Sequence, residues 1–230
     1  MKTIGVLGGM SWESSLEWYR LANERVAARL GGYHSARILL DSLDFAEIEA
    51  LQAQDDWESA GALLADRARA LEAAGAEILV LATNTMHLVA DRITDAVGIP
   101  FLHIADAAGA AVSGAGLATV GLLGTAFTME KPFYAEKLAA HGIRTLVPDA
   151  DDRHTVHAVI YDELVHGVVR DESRRAYVEV VDRLIARGAE GIVLGCTEIE
   201  LLLSAGDVPV PVFPTTSLHV DAAIAAALPE

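Results

Sequence analysis

The chain has 230 residues, and its 17 Lys and Arg against 33 Asp and Glu give a formal net charge of −16. Such acidity argues against nucleic acid or an anionic membrane as a partner, because both call for clustered Lys and Arg. The one cysteine, Cys196, excludes an intramolecular disulfide and a CxxC-type zinc or redox site.

Short apolar runs alternate with longer Ala-rich stretches along the chain, which is typical of an α/β protein. The runs lack in/out alternation, so we expect parallel strands in sheets that are covered on both faces. The predicted strands are Thr3–Leu7, Ala36–Leu40, Ile78–Ala82, Phe101–Ile104, Ala118–Leu123, Ile143–Val147, Gly191–Leu194 and Val210–Phe213. The predicted helices include Ser14–Arg29, Trp57–Ala74, Glu130–His141, Val156–His166 and Glu172–Arg187.

Targeting and membrane signals are not found in the sequence. No apolar stretch reaches the length of about 18 residues that a transmembrane helix needs. The N-terminal apolar run, Thr3–Leu7, is too short for a signal peptide. We therefore expect a cytoplasmic protein, in which the Cys196 thiol stays reduced.

Two segments recur within the chain at nearly constant spacing. This spacing predicts two copies of one α/β unit of roughly a hundred residues, a common size for a small domain. Residues 75–85 match residues 188–198 at an offset of 113, and residues 3–8 match residues 119–124 at an offset of 116.

The repeat makes Thr83 the counterpart of Cys196. We expect a first lobe formed by residues 1–103 plus 211–230 and a second lobe formed by residues 104–210. Ligands of open α/β sheets bind beyond the carboxyl ends of the strands, and each of the two residues lies just after a predicted strand. We therefore expect Thr83 and Cys196 to face one cleft between two related lobes.

Each candidate side chain also has a structural interpretation. Cys196 precedes a predicted helix, whose N-terminus would favour the thiolate, although a lone cysteine is commonly a small buried apolar residue. Thr83, Asn84 and Thr85 offer hydroxyls, an amide and helix N–H groups that suit a carboxylate, or they form an N-cap cluster. His87, one helical turn from Thr83, could relay a proton or serve a structural role.

Four motifs stand at these strand ends: LGGMSWES at 7–14, ATNTMH at 82–87, LLGT at 122–125 and GCTEI at 195–199. Together they resemble the aspartate/glutamate racemase family, the cofactor-independent amino acid racemases, over essentially the whole chain. The resemblance implies two flavodoxin-like lobes with parallel sheets, an active site in the cleft between them, and a homodimer. It also implies a small amino acid substrate and neither pyridoxal phosphate nor a metal ion.

The resemblance assigns catalytic roles to Thr83 and Cys196. Members of the family remove the α-proton from one face of the substrate and return a proton to the other face, in most cases with two cysteines. Here Thr83 stands at the position of the first cysteine. A thiol can be tuned to a base near neutrality, whereas a threonine hydroxyl has no comparable ionisation. We therefore expect the Cys196 thiolate to be the working base and Thr83 to deliver the opposing proton. The resemblance implies that Cys196 faces the α-proton of the L-substrate, so activity should favour L-substrates.

Substrate-binding residues follow from the same resemblance. The residues that match family positions holding the substrate carboxylates and amine are Asn84, Thr85 and Thr197, and those implied to line the pocket are Met10, Gln52 and Thr125. Some aspartate-specific members grip the carboxylates with an Arg and a Lys. No equivalent lies near Gln52 or within Ile160–Gly167, where His166 is the nearest basic residue, so glutamate or a broader range is allowed.

Two other functions remain open from the sequence. Arylmalonate decarboxylases of the same superfamily protonate an enediolate with a single thiol, which a lone Cys196 would suit. The Asn84 amide and the turn Gly9–Trp12 favour the amino acid racemases instead. A catalytically inactive, amino-acid-binding descendant would account for Thr83, but Cys196 keeps its full motif.

Overall fold

Eight parallel strands form two separate four-stranded sheets in the computed structural model, which describes residues 1–228. The predicted α/β class with parallel sheets is therefore confirmed. The strands are β1 (Ile4–Gly8), β2 (Ile38–Ser42), β3 (Ile78–Leu81), β4 (Phe101–Leu102), β5 (Thr119–Gly124), β6 (Arg144–Leu146), β7 (Gly191–Gly195) and β8 (Val212–Pro214).

Eleven α-helices connect or flank these strands in the described part of the chain. They are α1 (Trp12–Leu30), α2 (Phe45–Ala53), α3 (Trp57–Ala73), α4 (Ala90–Thr94), α5 (Ile104–Gly114), α6 (Ala126–Glu130), α7 (Pro132–Ala140), α8 (Ala150–Asp162), α9 (Asp171–Ala186), α10 (Ile199–Leu202) and α11 (Thr215–Ala227). Single 3-10 turns cover Thr85–Val89 and Leu164–His166. No described helix has both the length and the apolar character that crossing a membrane requires.

The chain divides into two compact units. The first comprises Met1–Ile104 and the C-terminal segment from His219, and the second comprises Ala105–Leu218. The chain therefore leaves the first unit at the start of α5 and returns to it within α11. The sequence placed this return at residue 211, but β8 pairs with β7 in register, so its residues belong to the second sheet.

Both faces of the first sheet, whose order is β2-β1-β3-β4, are covered by apolar side chains. On one face, Ile4 and Val6 share a buried cluster with Trp18 of α1 and Ile224 of α11. Side chains alternate along a strand, so Leu7 lies on the other face, in a second cluster with residues of α2 and α3. This double coverage explains why the strands are continuously apolar in sequence.

The second sheet repeats the topology of the first, in the order β6-β5-β7-β8. Its main buried cluster contains Leu123 of β5 and Leu194 of β7 together with Tyr177 and Leu184 of α9. Each unit thus places one strand, β3 or β7, third in the same order. Thr83 follows β3 and Cys196 follows β7, so the two residues occupy equivalent positions in their own units.

Helix α8 begins six residues before the predicted start at Val156. Asp149 is its N-cap and accepts a hydrogen bond from the Asp152 N–H at 3.1 Å. The acidic run Asp149–Asp152 therefore forms a helix start, where carboxylates satisfy free N–H groups and oppose the helix dipole. The predicted extension to His166 is also wrong, because α8 ends at Asp162 and a 3-10 turn follows.

The turn between β1 and α1 requires glycine at residue 9. Gly9 has φ of +87°, and a β-carbon there would collide with the carbonyl oxygen of Leu43. The Gly9 N–H donates to Ser15 Oγ at 2.7 Å, which ties the turn to the first helix. Close backbone approach and positive φ together exclude other residues.

Substitution of Gly9 by alanine should destabilise the protein beyond the cost of backbone strain alone. Gly75 is the matched control, because its φ of +100° is similar and nothing lies within 4 Å of a built β-carbon. We expect Gly75→Ala to lower the free energy of unfolding by about 1–2 kcal/mol and Gly9→Ala to lower it by about 3 kcal/mol or more. Urea denaturation measures both, and equal losses would contradict the proposed contact with Leu43.

Candidate active site

Three polar residues, Thr83, Asn84 and Thr85, begin two positions after the end of β3. Thr83 is half-buried, whereas Asn84 and Thr85 are almost fully buried. The chain then enters the 3-10 turn Thr85–Val89, and the Asn84 side chain makes no capping hydrogen bond to it. The predicted N-cap cluster is therefore wrong, and a single short turn provides no extended helix N-terminus for an anion. What remains is a compact set of two hydroxyls and an amide where α/β sheets bind ligands.

Gln52 reaches the same loop from α2. Its side chain is buried, and Nε2 donates to Met86 Sδ at 3.0 Å, one residue beyond Thr85. The other amide atom, Oε1, is buried and has no hydrogen-bond partner within the described residues. A buried carbonyl oxygen without a donor is energetically costly, so this atom is suited to accept an N–H group from a ligand.

Met10 lies in the apolar layer below this loop. It is 4% exposed and shares a buried cluster with Met86 and with Ile48 of α2. The structure thus places Met10 in one buried cluster with Met86 and puts Gln52 in contact with Met86; their role as pocket lining stays a prediction. Both side chains are buried in the first unit.

His87 binds the backbone on both sides of its ring. Nε2 accepts the backbone N–H of Ile104 at 3.2 Å, and Nδ1 lies 2.8 Å from the carbonyl oxygen of Thr83. Because Nε2 is an acceptor, the ring proton must reside on Nδ1 and point at Thr83 O. His87 therefore has no free nitrogen for the proton relay considered from the sequence.

The imidazole of His87 lies in a cluster of three histidines. Its ring centroid is 4.4 Å from that of His103 and 6.0 Å from that of His219. Burial, followed by repulsion from His103 and His219, lowers the pKa of His87 well below its ordinary value. His219 donates from Nε2 to the Leu102 carbonyl at 2.8 Å, and burial lowers its pKa to about 4. Both buried rings are therefore neutral at physiological pH.

Cys196 follows β7 in the second unit. It is 8% exposed, and its Sγ donates to Glu198 Oε2 at 2.9 Å. Burial, then the carboxylates of Glu198 and Glu200, raise the pKa of the Cys196 thiol well above its ordinary value. The following helix, α10, has only four residues, so the predicted thiolate stabilisation by a helix N-terminus is wrong. The thiol carries its proton and directs it at a carboxylate.

Two further predicted residues lie near strand ends of the second unit. Thr197 is half-buried and accepts a hydrogen bond from the Thr216 hydroxyl at 3.1 Å. Thr125 is buried after β5 and caps α6 through Thr128 N–H at 3.3 Å. His157 Nδ1 accepts the Ala126 N–H at 3.2 Å, which holds the chain next to Thr125.

Sequence reasoning missed the role of Glu198. It was quoted within the GCTEI motif, yet only the fold shows that its carboxylate contacts the thiol. An acidic residue two positions after a lone cysteine was the available signal, because a turn brings such side chains together. His157 carried no comparable signal, since its contact with Ala126 spans 31 residues.

Neither position 52 nor the segment Ile160–Gly167 offers an arginine or lysine that could grip a carboxylate. Gln52 contacts a thioether rather than a cation, and His166 is exposed at the end of its 3-10 turn. Within residues 1–228, no group of three His, Cys, Asp or Glu side chains is arranged to hold a metal ion.

Comparison with known proteins supports a racemase fold. A family model described as Asp/Glu/hydantoin racemase matches residues 7–223. A crystal structure from Yersinia pestis, of a protein proposed to be an Asp/Glu racemase, is 51% identical, with a TM-score of 0.94 and complete coverage of both chains. A crystal structure of an aspartate racemase homologue from Pyrococcus horikoshii is 33% identical, with a TM-score of 0.87 and 99% coverage of each chain.

A more distant likeness concerns the fold alone. Glutamate racemase from Francisella tularensis, crystallised with D-glutamate, is 15% identical with a TM-score of 0.65. The match covers 98% of this chain and 80% of that chain. The two four-stranded parallel sheets match the two-lobed fold of that racemase.

Lowering the pH should destabilise the protein through His219. The folded-state pKa is about 4 and the unfolded value is 6.5, so stability is fully present above pH 6.5 and is lost as the pH falls toward 4. The expected contribution of this histidine is about 3 kcal/mol. Urea denaturation at a series of pH values should show a weaker dependence for His219→Gln, which keeps an amide donor; parallel curves would refute this assignment.

Removing the charge of Glu198 should lower the pKa of the Cys196 thiol. The carboxylate raises that pKa by repulsion and by accepting the thiol proton, and Glu198→Gln removes the repulsion. Because the chain has one cysteine, subtracting the ultraviolet titration of the matching Cys196→Ala protein, which removes the tyrosine signal, leaves the absorbance of this thiolate alone. Glu172→Gln, at an exposed position of α9, is the control and should leave the titration unchanged. A Glu198→Gln titration that coincides with wild type would be inconsistent with the contact.

Proposed function

Since this chain belongs to the Asp/Glu/hydantoin racemase family, we propose that it racemises aspartate, glutamate or both, without a cofactor. The observation that carries the proposal is the single thiol, Cys196, placed at the carboxyl end of β7 with a carboxylate in contact. Thr83 occupies the equivalent position after β3. A racemase needs two groups that exchange a proton with opposite faces of Cα.

Cys196 must lose its proton before it can accept one from the substrate. Glu198 Oε2, 2.9 Å from Sγ, is placed to take that proton and leave a thiolate. Burial and Glu198 raise the pKa of the thiol, so the protonated form prevails without substrate. A substrate ammonium group near the sulfur would favour the thiolate, because an opposite charge stabilises the ionised form. The proposed base therefore forms only when substrate is bound.

Thr83 serves the other face of the substrate in this mechanism. The thiolate takes the α-proton and leaves a carbanion, which regains a proton on the Thr83 side. A hydroxyl can pass on a proton from water, but it is a poor base without an activating partner. His87 does not supply that partner, because both of its ring nitrogens bind backbone groups. Proton removal should therefore be efficient from one enantiomer only, which we propose to be the L form.

Substrate binding is proposed for the polar groups near the two strand ends. Asn84, Thr85 and Thr197 would hold the carboxylates and the amine. The buried Oε1 of Gln52 is suited to accept an ammonium N–H, while Met10 and Thr125 would complete the pocket. The site lacks an Arg–Lys pair near Gln52, so we do not expect it to bind aspartate in preference to glutamate. We also propose that the protein is cytoplasmic and forms a homodimer.

Exchange of the α-proton in deuterated water tests the function. Each enantiomer of aspartate and glutamate is incubated with the protein, and Cα deuteration is followed by NMR. We expect faster initial exchange from the L-substrates, because only the Cys196 face holds a group that can become a base. Equal initial rates from both enantiomers would refute the asymmetric mechanism.

Two variants assign the faces in the same assay. Cys196→Ala should abolish exchange, because it removes the base. Thr83→Cys should allow exchange from the D-enantiomer, since a second thiol then stands at the Thr83 position.

Two further measurements test the alternative functions. Release of carbon dioxide from a disubstituted malonate would favour an arylmalonate decarboxylase instead. Binding of aspartate or glutamate without any exchange would indicate an inactive binding protein.

A further inference from the structure

We propose that His87 is a positioning residue for Thr83, and that its imidazole fixes the backbone from which the Thr83 hydroxyl projects. The inference rests on the proposed function, because it concerns the proton delivered on the Thr83 side. His87 acts through the main chain and does not touch substrate in this proposal. Its effect should therefore appear in the stereochemical outcome of the reaction.

The ring of His87 links two backbone groups that lie just beyond the ends of neighbouring strands of the first sheet. Nδ1–H donates to the Thr83 carbonyl at 2.8 Å, just past β3, and Nε2 accepts the Ile104 N–H at 3.2 Å, just past β4. The ring is 2% exposed, so water does not replace either bond. Loss of the imidazole would leave a buried donor at Ile104, which is costly.

One tautomer alone satisfies both bonds. The Ile104 N–H can only donate and the Thr83 carbonyl can only accept, so Nε2 must be bare and Nδ1 must carry the proton. A protonated imidazolium would lose the acceptor at Nε2. Burial, followed by the neighbouring rings of His103 and His219, opposes protonation of His87, which keeps it in the bridging form.

The bridge also lies where the chain leaves and re-enters the first unit. Ile104 is the last residue of its first segment, and His219 is the first residue after the return. His219 donates to the Leu102 carbonyl at 2.8 Å, two residues before the Ile104 amide that His87 binds. Both chain passages are thus tied to the segment 102–104, and His87 ties that segment to Thr83. A rigid attachment here would hold the Thr83 peptide at one orientation.

Orientation of Thr83 should control how often the carbanion is protonated on its side. In deuterated water, an L-substrate that has lost its α-proton to Cys196 can regain deuterium from the sulfur side, once the thiol has exchanged that proton with the solvent, and remain L. It can also gain deuterium from the Thr83 side and become D. The ratio of inversion to retention therefore reports on Thr83 placement, independently of how much active protein is present.

The tautomer can be measured on the wild-type protein. Long-range proton–nitrogen NMR spectra of the histidine-labelled chain distinguish a protonated Nδ1 from a protonated Nε2. We expect His87 to show the Nδ1–H form at neutral pH, with no imidazolium. A protonated Nε2 or a charged ring at His87 would overturn the inference without any measurement of activity.

Two variants test the function of the bridge. His87→Phe removes both hydrogen bonds and should lower the inversion-to-retention ratio about 10- to 100-fold, because small misplacements of reacting groups cost rate steeply. His87→Asn keeps an amide N–H near the position of Nδ1 and should recover part of the ratio. Ile93→Val, a fully buried change in the same unit, is the control for lost stability and should leave the ratio unchanged.

The outcomes separate this inference from the proposed function. Absence of exchange from every amino acid in the wild-type protein would refute the proposed function, and the positioning role with it. Normal wild-type racemisation with an unchanged ratio in His87→Phe would refute the positioning role alone. An equal fall of the ratio in Ile93→Val would show that His87→Phe acts through a general loss of stability, which would also refute the positioning role.

Discussion

Coverage of both faces of each parallel sheet is the constraint on which the rest of the structure depends. The strands β1, β3, β5 and β7 are buried almost along their whole length, so they cannot display polar side chains on their faces. Polar side chains that a ligand could contact therefore lie at the ends of these four strands. Thr83 and Cys196 occupy such ends, and the same position in the repeated strand order gives them comparable surroundings.

Burial at these ends favours neutral side chains. The thiol of Cys196 stays protonated while it donates to Glu198. The imidazoles of His87 and His219 stay neutral, because a low-dielectric interior penalises charge. The two reactive positions differ nevertheless. Cys196 has a carboxylate that can take its proton, whereas the carbonyl of Thr83 is held by a histidine with no free nitrogen. This difference underlies the asymmetric mechanism that we propose for the racemase.

Local pattern was sufficient to locate most of the secondary structure. Apolar runs placed all eight strands to within a few residues, because burial on both faces leaves a continuous signal. The start of α8 was missed because an acidic run such as Asp149–Asp152 is typical of an exposed loop, and only the structure shows that Asp149 caps a helix. The helix expected to activate Cys196 has only four residues, which a motif such as GCTEI does not reveal.

The sequence by itself determined the α/β class, the duplication and the equivalence of Thr83 and Cys196 within the repeat, since these depend on periodicity and spacing along the chain. The tertiary structure alone decided the protonation of Cys196, the tautomer of His87 and the burial of Gln52 Oε1. Those properties depend on burial and on partners such as Ile104 and Met86, which the fold brings together from distant parts of the chain. Electrostatic energies vary with such surroundings, and local sequence does not specify them.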